Sequence, residues 1–290
     1  MKRFFLTLDL EEWYHLEYLK DSRNKIGTEF TFVDKVLPIL GTLSAMGIYA
    51  TVFVVKEAVV RYSGVVNEIH KLGHEIACHG YNHELVYSLT EKEFIYLIAD
   101  SKEYLESAIS SPIYGYRAPC FSMTNSMLPV LSQLGFLYDA SYIKFGEHAL
   151  YNVMDAHEFT KEASLFYRLN NLYVVENPTL KYFDHYFPFS GGGYFRILPY
   201  DFYKYLLREY FKAEDNFVFY MHPFELIYHK LTGITETGFK NTLRFSIGRK
   251  GFSTKLLKVL GWAKNNGVTF LRLGDYVEQL KTGEGAELHK

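Results

Sequence analysis

The feature that most constrains this chain is a repeated succession: a short apolar run rich in β-forming residues, then a cluster of ionisable groups at its end. Phe4 to Leu8 runs into Asp9-Leu10-Glu11-Glu12, His74 to Cys78 into His79-Gly80-Tyr81-Asn82-His83, Ile113 to Tyr116 into Arg117-Ala118-Pro119-Cys120, and Phe217 to Met221 into His222-Pro223-Phe224-Glu225. Through the first half these runs alternate with segments of helical period, which is the pattern of strand–helix–strand units around a parallel sheet. In such sheets functional side chains gather just past the carboxyl ends of the strands.

Further strands are expected at Tyr49 to Val55, Phe136 to Tyr138, Leu172 to Val175 and Val268 to Leu271. Val36, Leu37, Leu40, Leu43 and Met46 repeat at helical spacing before Gly47. Thr90 with Glu93 makes a capping box for a second helix, carrying Phe94, Leu97, Ile98 and Leu105. Helices follow from about Thr124 to Leu134, Pro199 to Tyr210 and Thr254 to Asn265, whereas Tyr142 to Asn170 reads as irregular. Without an internal repeat, low-complexity tract or linker, residues 1–290 are expected to form one domain.

Composition narrows the partners. Thirty-one Lys and Arg against 33 Asp and Glu leave a net charge of −2 and no basic patch for nucleic acid. The apolar stretch after Met1-Lys2-Arg3 stops at Leu8, too early for a signal peptide, and no run of 18 apolar residues suggests a transmembrane segment. Two cysteines in 290 residues exclude a disulfide framework. A cytoplasmic protein is expected. The 25 Tyr and 24 Phe suit a sugar-binding cleft as well as a core.

His79 and His83 can both reach one metal ion if the backbone turns at Gly80, and the first strand end offers a carboxylate as third ligand. The Glu that follows the first His in helical metalloproteases is absent here, whereas two His and a carboxylate also suit ferrous iron in an oxygenase. Arg117 can orient a carboxylate and lower its pKa, Pro119 sets the backbone so that the Cys120 amide can meet a developing oxyanion, and His222 is a natural proton donor. Cys78 and Cys120 read as two small thiols packed under the site.

Laid side by side, "LTLDLEEWYH", "HEIACHGYNH", "YGYRAPCFS", "LGFLYDASY", "GGGYFRILPY" and "FVFYMHPFE" resemble, in order, the polysaccharide deacetylase family, also called NodB-homology or carbohydrate esterase family 4, in its exopolysaccharide and O-antigen branch. The resemblance implies an α/β fold, a distorted (β/α) barrel of about seven strands, with a divalent metal, most commonly Zn2+, whose activated water attacks an acetamide. It makes Asp9 the general base, Glu11 the metal carboxylate beside His79 and His83, Arg117 the residue that steadies Asp9, and His222 the general acid. Asp139, with Glu176 as rival, is the candidate for the acid that tunes His222. The usual first motif has two adjacent Asp; here Leu10 separates Asp9 from Glu11, which strand alternation would place on one side, with Glu12 facing elsewhere, at the surface or behind the site. Ser190 to Arg196 lacks the Gly-Lys-Ser/Thr of a phosphate loop and reads as a flexible wall of the cleft.

The expectation is a deacetylase of an N-acetylated amino sugar, free or carrier-linked, in cell-surface polysaccharide synthesis. The alternatives are hydrolysis of another C–N bond, as in allantoin, and a non-catalytic carbohydrate-binding protein.

Overall fold

The structure is a computed structural model that describes residues 1–26, 30–62, 64–144, 154–182 and 185–283. Its strands are β1 (Arg3–Leu10), β2 (Thr51–Val54), β3 (Glu75–Cys78), β4 (Gly115–Tyr116), β5 (Tyr138–Ile143), β6 (Thr160–Ala163), β7 (Phe166–Leu169), β8 (Leu172–Asn177), β9 (Leu180–Tyr182), β10 (His185–Phe187), β11 (Asn216–Met221) and β12 (Thr269–Phe270). The main sheet runs β11-β1-β2-β3-β4-β5-β8 with every pair parallel, then β8-β7-β6 antiparallel; β12 pairs with β1. The parallel strands curl into a distorted (β/α) barrel that is not laddered shut, for β8 and β11 approach each other without pairing. Across that gap Tyr220 N donates to Ser190 O at 3.0 Å, so the glycine-rich segment covers the free edge of β11.

All eight residues of β1 are buried, as expected for a strand covered on both faces. Its alternation assigns two environments. Phe4, Leu6, Leu8 and Leu10 join the core beneath the surrounding helices, whereas Phe5 joins an inner cluster with Phe53, Ala77, Tyr138, Phe166 and Val218. Helix 273–282 closes the amino-terminal end of the barrel through Leu273, Tyr276 and Val277, with the Phe5 and Tyr276 rings 5.4 Å apart.

The capping box forms as its spacing requires, Thr90 N donating to Glu93 Oε2 at 2.8 Å and Glu93 N to Thr90 Oγ1 at 3.3 Å, and starts the helix Glu91–Ile109. The segment read as irregular is more ordered than expected: β5 runs on to Ile143, and β6 and β7 form a hairpin on β8. β6 is an exposed edge strand, Thr160-Lys161-Glu162-Ala163, held by backbone ladder rather than by an apolar face, so it carries no alternation to detect. Residues 145–153 of that segment lie outside the described residues.

His74, fully buried at the start of β3, ties the first helix to the sheet. Its Nδ1 accepts from Ala50 N at 2.9 Å and its Nε2 donates to Leu40 O at 3.1 Å, a pattern that only the neutral ring satisfies. Burial lowers its pKa below the ordinary 6.5, the Leu40 carbonyl opposing only in part. The contribution of His74 is therefore complete above about pH 6.5 and is lost as the pH falls through its folded-state pKa. His74→Ala should cost about 1–3 kcal/mol at pH 7.5. Thermal unfolding of variant and wild type at pH 7.5 and 5 should show the smaller acid-induced drop in the variant; equal drops would assign the acid sensitivity elsewhere.

Candidate active site

The inner face of β1 presents Phe5, Thr7 and Asp9, so its polarity rises toward the carboxyl end of the barrel. Arg117, fully buried at the end of β4, fills the space beneath Asp9. Its Nη1 donates to Asp9 Oδ1 at 2.6 Å and to Thr7 Oγ1 at 2.9 Å, its Nε donates to Ala140 O at 3.2 Å, and its guanidinium lies 4.1 Å over the Phe53 ring. Fixing Oδ1 in this way leaves Oδ2 of Asp9 turned toward His222, whose Nε2 is 3.9 Å away.

Glu11 reaches the same place by a turn, not by strand alternation. β1 ends at Leu10, and Glu11 N donates back to Asp9 O at 3.1 Å. One donor atom each from Glu11, His79 and His83 lies within 4.8 Å of the other two, and all three residues are buried. His79 Nδ1 donates to Arg117 O at 2.7 Å, which leaves Nε2 as the atom available to a metal. His83, held at a left-handed φ of 59°, places Nε2 2.8 Å from Glu11 Oε2. Neither Glu11 Oε2 nor His83 Nδ1 has a hydrogen-bond partner of good geometry among the described residues. Buried polar atoms left so are costly, and a carboxylate with two imidazoles is a donor set for a divalent cation such as zinc with an open position. The residues fit the metal.

Burial works against the charge on Glu11, but His83 beside it, with His222 and His79 behind, takes its pKa down to about 2. Burial takes His79 down to about 4, so it stands neutral as a ligand must. Burial also opposes protonation of His222, yet the Glu225 carboxylate, then Glu11 and Asp9, raise it to about 9. A cation on Glu11 would offset part of that rise.

Glu225 is the functional residue that sequence reasoning did not single out, although it stands in the quoted "HPFE". Its Oε2 accepts from His222 N at 3.0 Å and faces His222 Nδ1 at 3.2 Å, while its Oε1 lies 3.1 Å from Arg196 Nε. The glycine-rich run explains how it fits. Gly191 caps a helix, Gly192–Ile197, and a Cβ at Gly192 would overlap the Glu225 carboxylate. The run is a wall of the cleft, as expected, with Gly193, Tyr194 and Arg196 lining it, and it is a helix that also cradles Glu225.

Asp139 does not tune His222. Its carboxylate accepts from Ser141 Oγ at 2.6 Å and Ser141 N at 3.1 Å, and Ser141 Oγ accepts from Ala118 N at 2.8 Å, so it braces the loop after Arg117. Glu176 pairs with Lys144 at 2.9 Å. Cys120 lines the cleft at φ 49°, with Phe121 at φ 53° beside it, two adjacent non-glycine residues in left-handed conformation at the site. Both cysteines are free thiols, pushed up by burial. Glu12, assigned by the sequence to the surface or to a position behind the site, is buried and accepts from Phe32 N at 2.8 Å and Val33 N at 2.9 Å. His15, also unremarked, accepts from Glu12 N at 3.1 Å and stacks on His83 with ring centroids 5.8 Å apart. The signal for both was only a polar residue in a turn, and their partners are up to 68 residues away.

Asp9, Glu11, His79, His83, Arg117 and His222 line the inner end of a cleft of about 710 Å³. Fold and site define the class, a parallel (β/α) barrel with a candidate metal site at the carboxyl end of its strands. Residues 30–138 match the polysaccharide deacetylase family model, and residues 141–277 match a domain of unknown function, DUF3473. Over residues 30–138 the chain is similar to the polysaccharide deacetylase (NodB-homology, carbohydrate esterase family 4) family, whose members hydrolyse the C–N bond of N-acetyl groups. The first match holds His79, His83 and Arg117, the second His222, and neither reaches Asp9 or Glu11. A peptidoglycan deacetylase of Helicobacter pylori is 30% identical over 92 residues, 32% of this chain and 31% of that protein, so the alignment spans about a third of the relative. Among solved structures, a protein of Mycobacterium smegmatis described as a polysaccharide deacetylase superposes with TM-score 0.64 at 20% identity, over 97% of this chain and 91% of that one. An allantoinase superposes with TM-score 0.57 at 16% identity, over 95% and 89%. At these identities the likeness is one of fold.

Glu11→Gln and His79→Ala should each abolish stoichiometric binding of zinc by the folded protein, while wild type binds close to one equivalent, as calorimetry and elemental analysis would measure. Full occupancy in either variant would dismiss the assignment of ligands.

Proposed function

We propose that this protein is a metal-dependent deacetylase that hydrolyses the N-acetyl group of an amino sugar during synthesis of a cell-surface polysaccharide, using zinc on the cytoplasmic side. The observation that carries the reading is the convergence of Glu11, His79 and His83 with the Arg117-anchored Asp9 and the Glu225-backed His222 at one end of one cleft. The bound cation supplies Lewis acidity to the acetamide carbonyl and to the attacking water.

The chain's own groups handle the protons. Arg117 occupies Oδ1 of Asp9 and fixes its orientation, so Oδ2 takes the proton of the attacking water. His222, held protonated by Glu225, donates from Nε2 to the leaving nitrogen as the C–N bond breaks. Acetate and a free amine are the products. The unpaired thiols support a reducing compartment, and among the described residues no helix is long and apolar enough to cross a membrane. The cleft is larger than a small ureide fills, which favours a sugar over an allantoin-like substrate.

Asp9→Asn should lower acetate release from N-acetylglucosamine oligomers by about 10²-fold or more with zinc content unchanged. Glu225→Gln keeps the shape that Gly192 accommodates and should lower kcat by about tenfold or more, again with zinc retained. Full activity of Asp9→Asn, or turnover of ureides in preference to acetylated sugars, would overturn the proposal. Tight sugar binding by a protein that takes up no zinc would favour the non-catalytic alternative.

A further inference from the structure

Beyond the catalytic end, the cleft changes character. Its outer wall includes helix Phe239–Ser246, which turns Phe245 inward to stack on Phe224 at 5.2 Å and turns a second apolar stripe outward. That stripe is Phe239, 84% exposed, with Leu243 and Ile247 at successive turns, and Ile197 faces the same cleft from the helix that cradles Glu225. Among the described residues the exposed Val, Leu and Ile side chains are Val60, Ile197, Leu243 and Ile247, and all but Val60 line this one cleft. Exposed aliphatics gathered in one place mark a binding surface, and a sugar, which asks for hydroxyl partners and flat aromatic faces, does not need them.

Charge completes the pattern. Lys240 and Arg244 stand one turn apart beside the stripe, and neither has a carboxylate partner among the described residues. Arg244 extends its guanidinium 4.3 Å over Tyr18, itself a lining residue. Of the other acids in the cleft, Glu17 is paired with Lys20 at 2.6 Å and Glu225 with Arg196 at 3.1 Å. At the inner end the carboxylates are matched, Asp9 by Arg117 and Glu11 by His83, and the outer end is left cationic and apolar. A ligand complementary along its length carries a neutral amido sugar, then an anionic phosphate, then a hydrocarbon chain.

We propose that the substrate is an amino sugar mounted on a lipid phosphate, with Lys240 and Arg244 receiving the phosphate and Phe239, Leu243, Ile247 and Ile197 receiving the first part of the chain. The proposal rests on the deacetylase reading of the same cleft and names the carrier that reading leaves open. Hydrocarbon burial supplies affinity in proportion to area, and the cations supply a salt-dependent share.

The test measures binding of farnesyl phosphate to the full, zinc-loaded chain by calorimetry, with inorganic phosphate as the second ligand. Farnesyl phosphate should bind at least about tenfold more tightly than inorganic phosphate. The double variant Leu243→Ser/Ile247→Ser should weaken farnesyl phosphate by about tenfold or more, and Lys240→Ala/Arg244→Ala should weaken it and flatten its dependence on salt. All four side chains are exposed, so thermal midpoints equal to wild type verify folding. Affinities equal in wild type and both variants would overturn the inference, because the ligand would then be held elsewhere, at the metal ligands for example. Partition of the wild type onto phosphatidylglycerol vesicles without binding of farnesyl phosphate would also overturn it, assigning the stripe to a membrane surface. Acetate release from N-acetylglucosaminyl farnesyl phosphate and from N-acetylglucosamine oligomers is scored in parallel. Its absence from both removes the deacetylase reading, whereas acetate release without farnesyl phosphate binding removes this inference alone.

Discussion

The site depends on one buried ion pair. Arg117 and Asp9 meet inside a barrel otherwise filled by Phe5, Phe53, Tyr138 and Phe166, where an unpaired charge would be intolerable. Removing one partner of such a pair costs about 3–5 kcal/mol, so neither residue is free to change alone. That constraint orients the chemistry. With Oδ1 held by the guanidinium, the other oxygen of Asp9 has one direction available, into the cleft. The Arg117 carbonyl meanwhile accepts from His79 and sets which nitrogen of that ring is open. A single residue at the end of β4 thus positions the proposed base and a candidate ligand contributed by two other strands.

The remaining groups are held by loops whose backbone is unusual. His83, Cys120 and Phe121 all adopt positive φ without being glycine, a conformation that persists only where surrounding contacts enforce it. Around them the enforcing contacts are visible: Glu12 gathers the amides of Phe32 and Val33, His15 stacks on His83, and Asp139 braces Ala118 through Ser141. On the other side of the cleft Gly192 is small because Glu225 lies against it. The carboxylate that raises the pKa of His222 exists in that position only because a neighbouring segment has no side chain there.

Much of the scaffold was legible in the linear pattern. β1, β2, β3, β11 and the capped helix from Glu91 appear within a few residues of where apolar runs, turn residues and the Thr90–Glu93 spacing place them. What was not legible shares a physical cause. β6 is polar and solvated, so no alternation marks it, and the hairpin β9–β10 is held by its own backbone bonds. The six proposed site residues are legible because each stands at the end of a buried strand, where a charged group is unusual. Glu12 and His15 stand at the two ends of a single 3-10 turn and Glu225 in a four-residue helix, where polar residues are ordinary.

The sequence by itself determined the class of fold and the set of chemical groups at its active end, because periodicity and the abrupt change from apolar to ionisable are local properties. Only the tertiary structure decided which acid does what. Asp9 and Glu11 are brought together by a turn instead of a strand, Glu12 is withdrawn to hold a loop, and Glu225, not Asp139, supports His222. These assignments depend on which distant segments close around each carboxylate, and a carboxylate's role is set by the donors that surround it, which no stretch of neighbouring sequence contains.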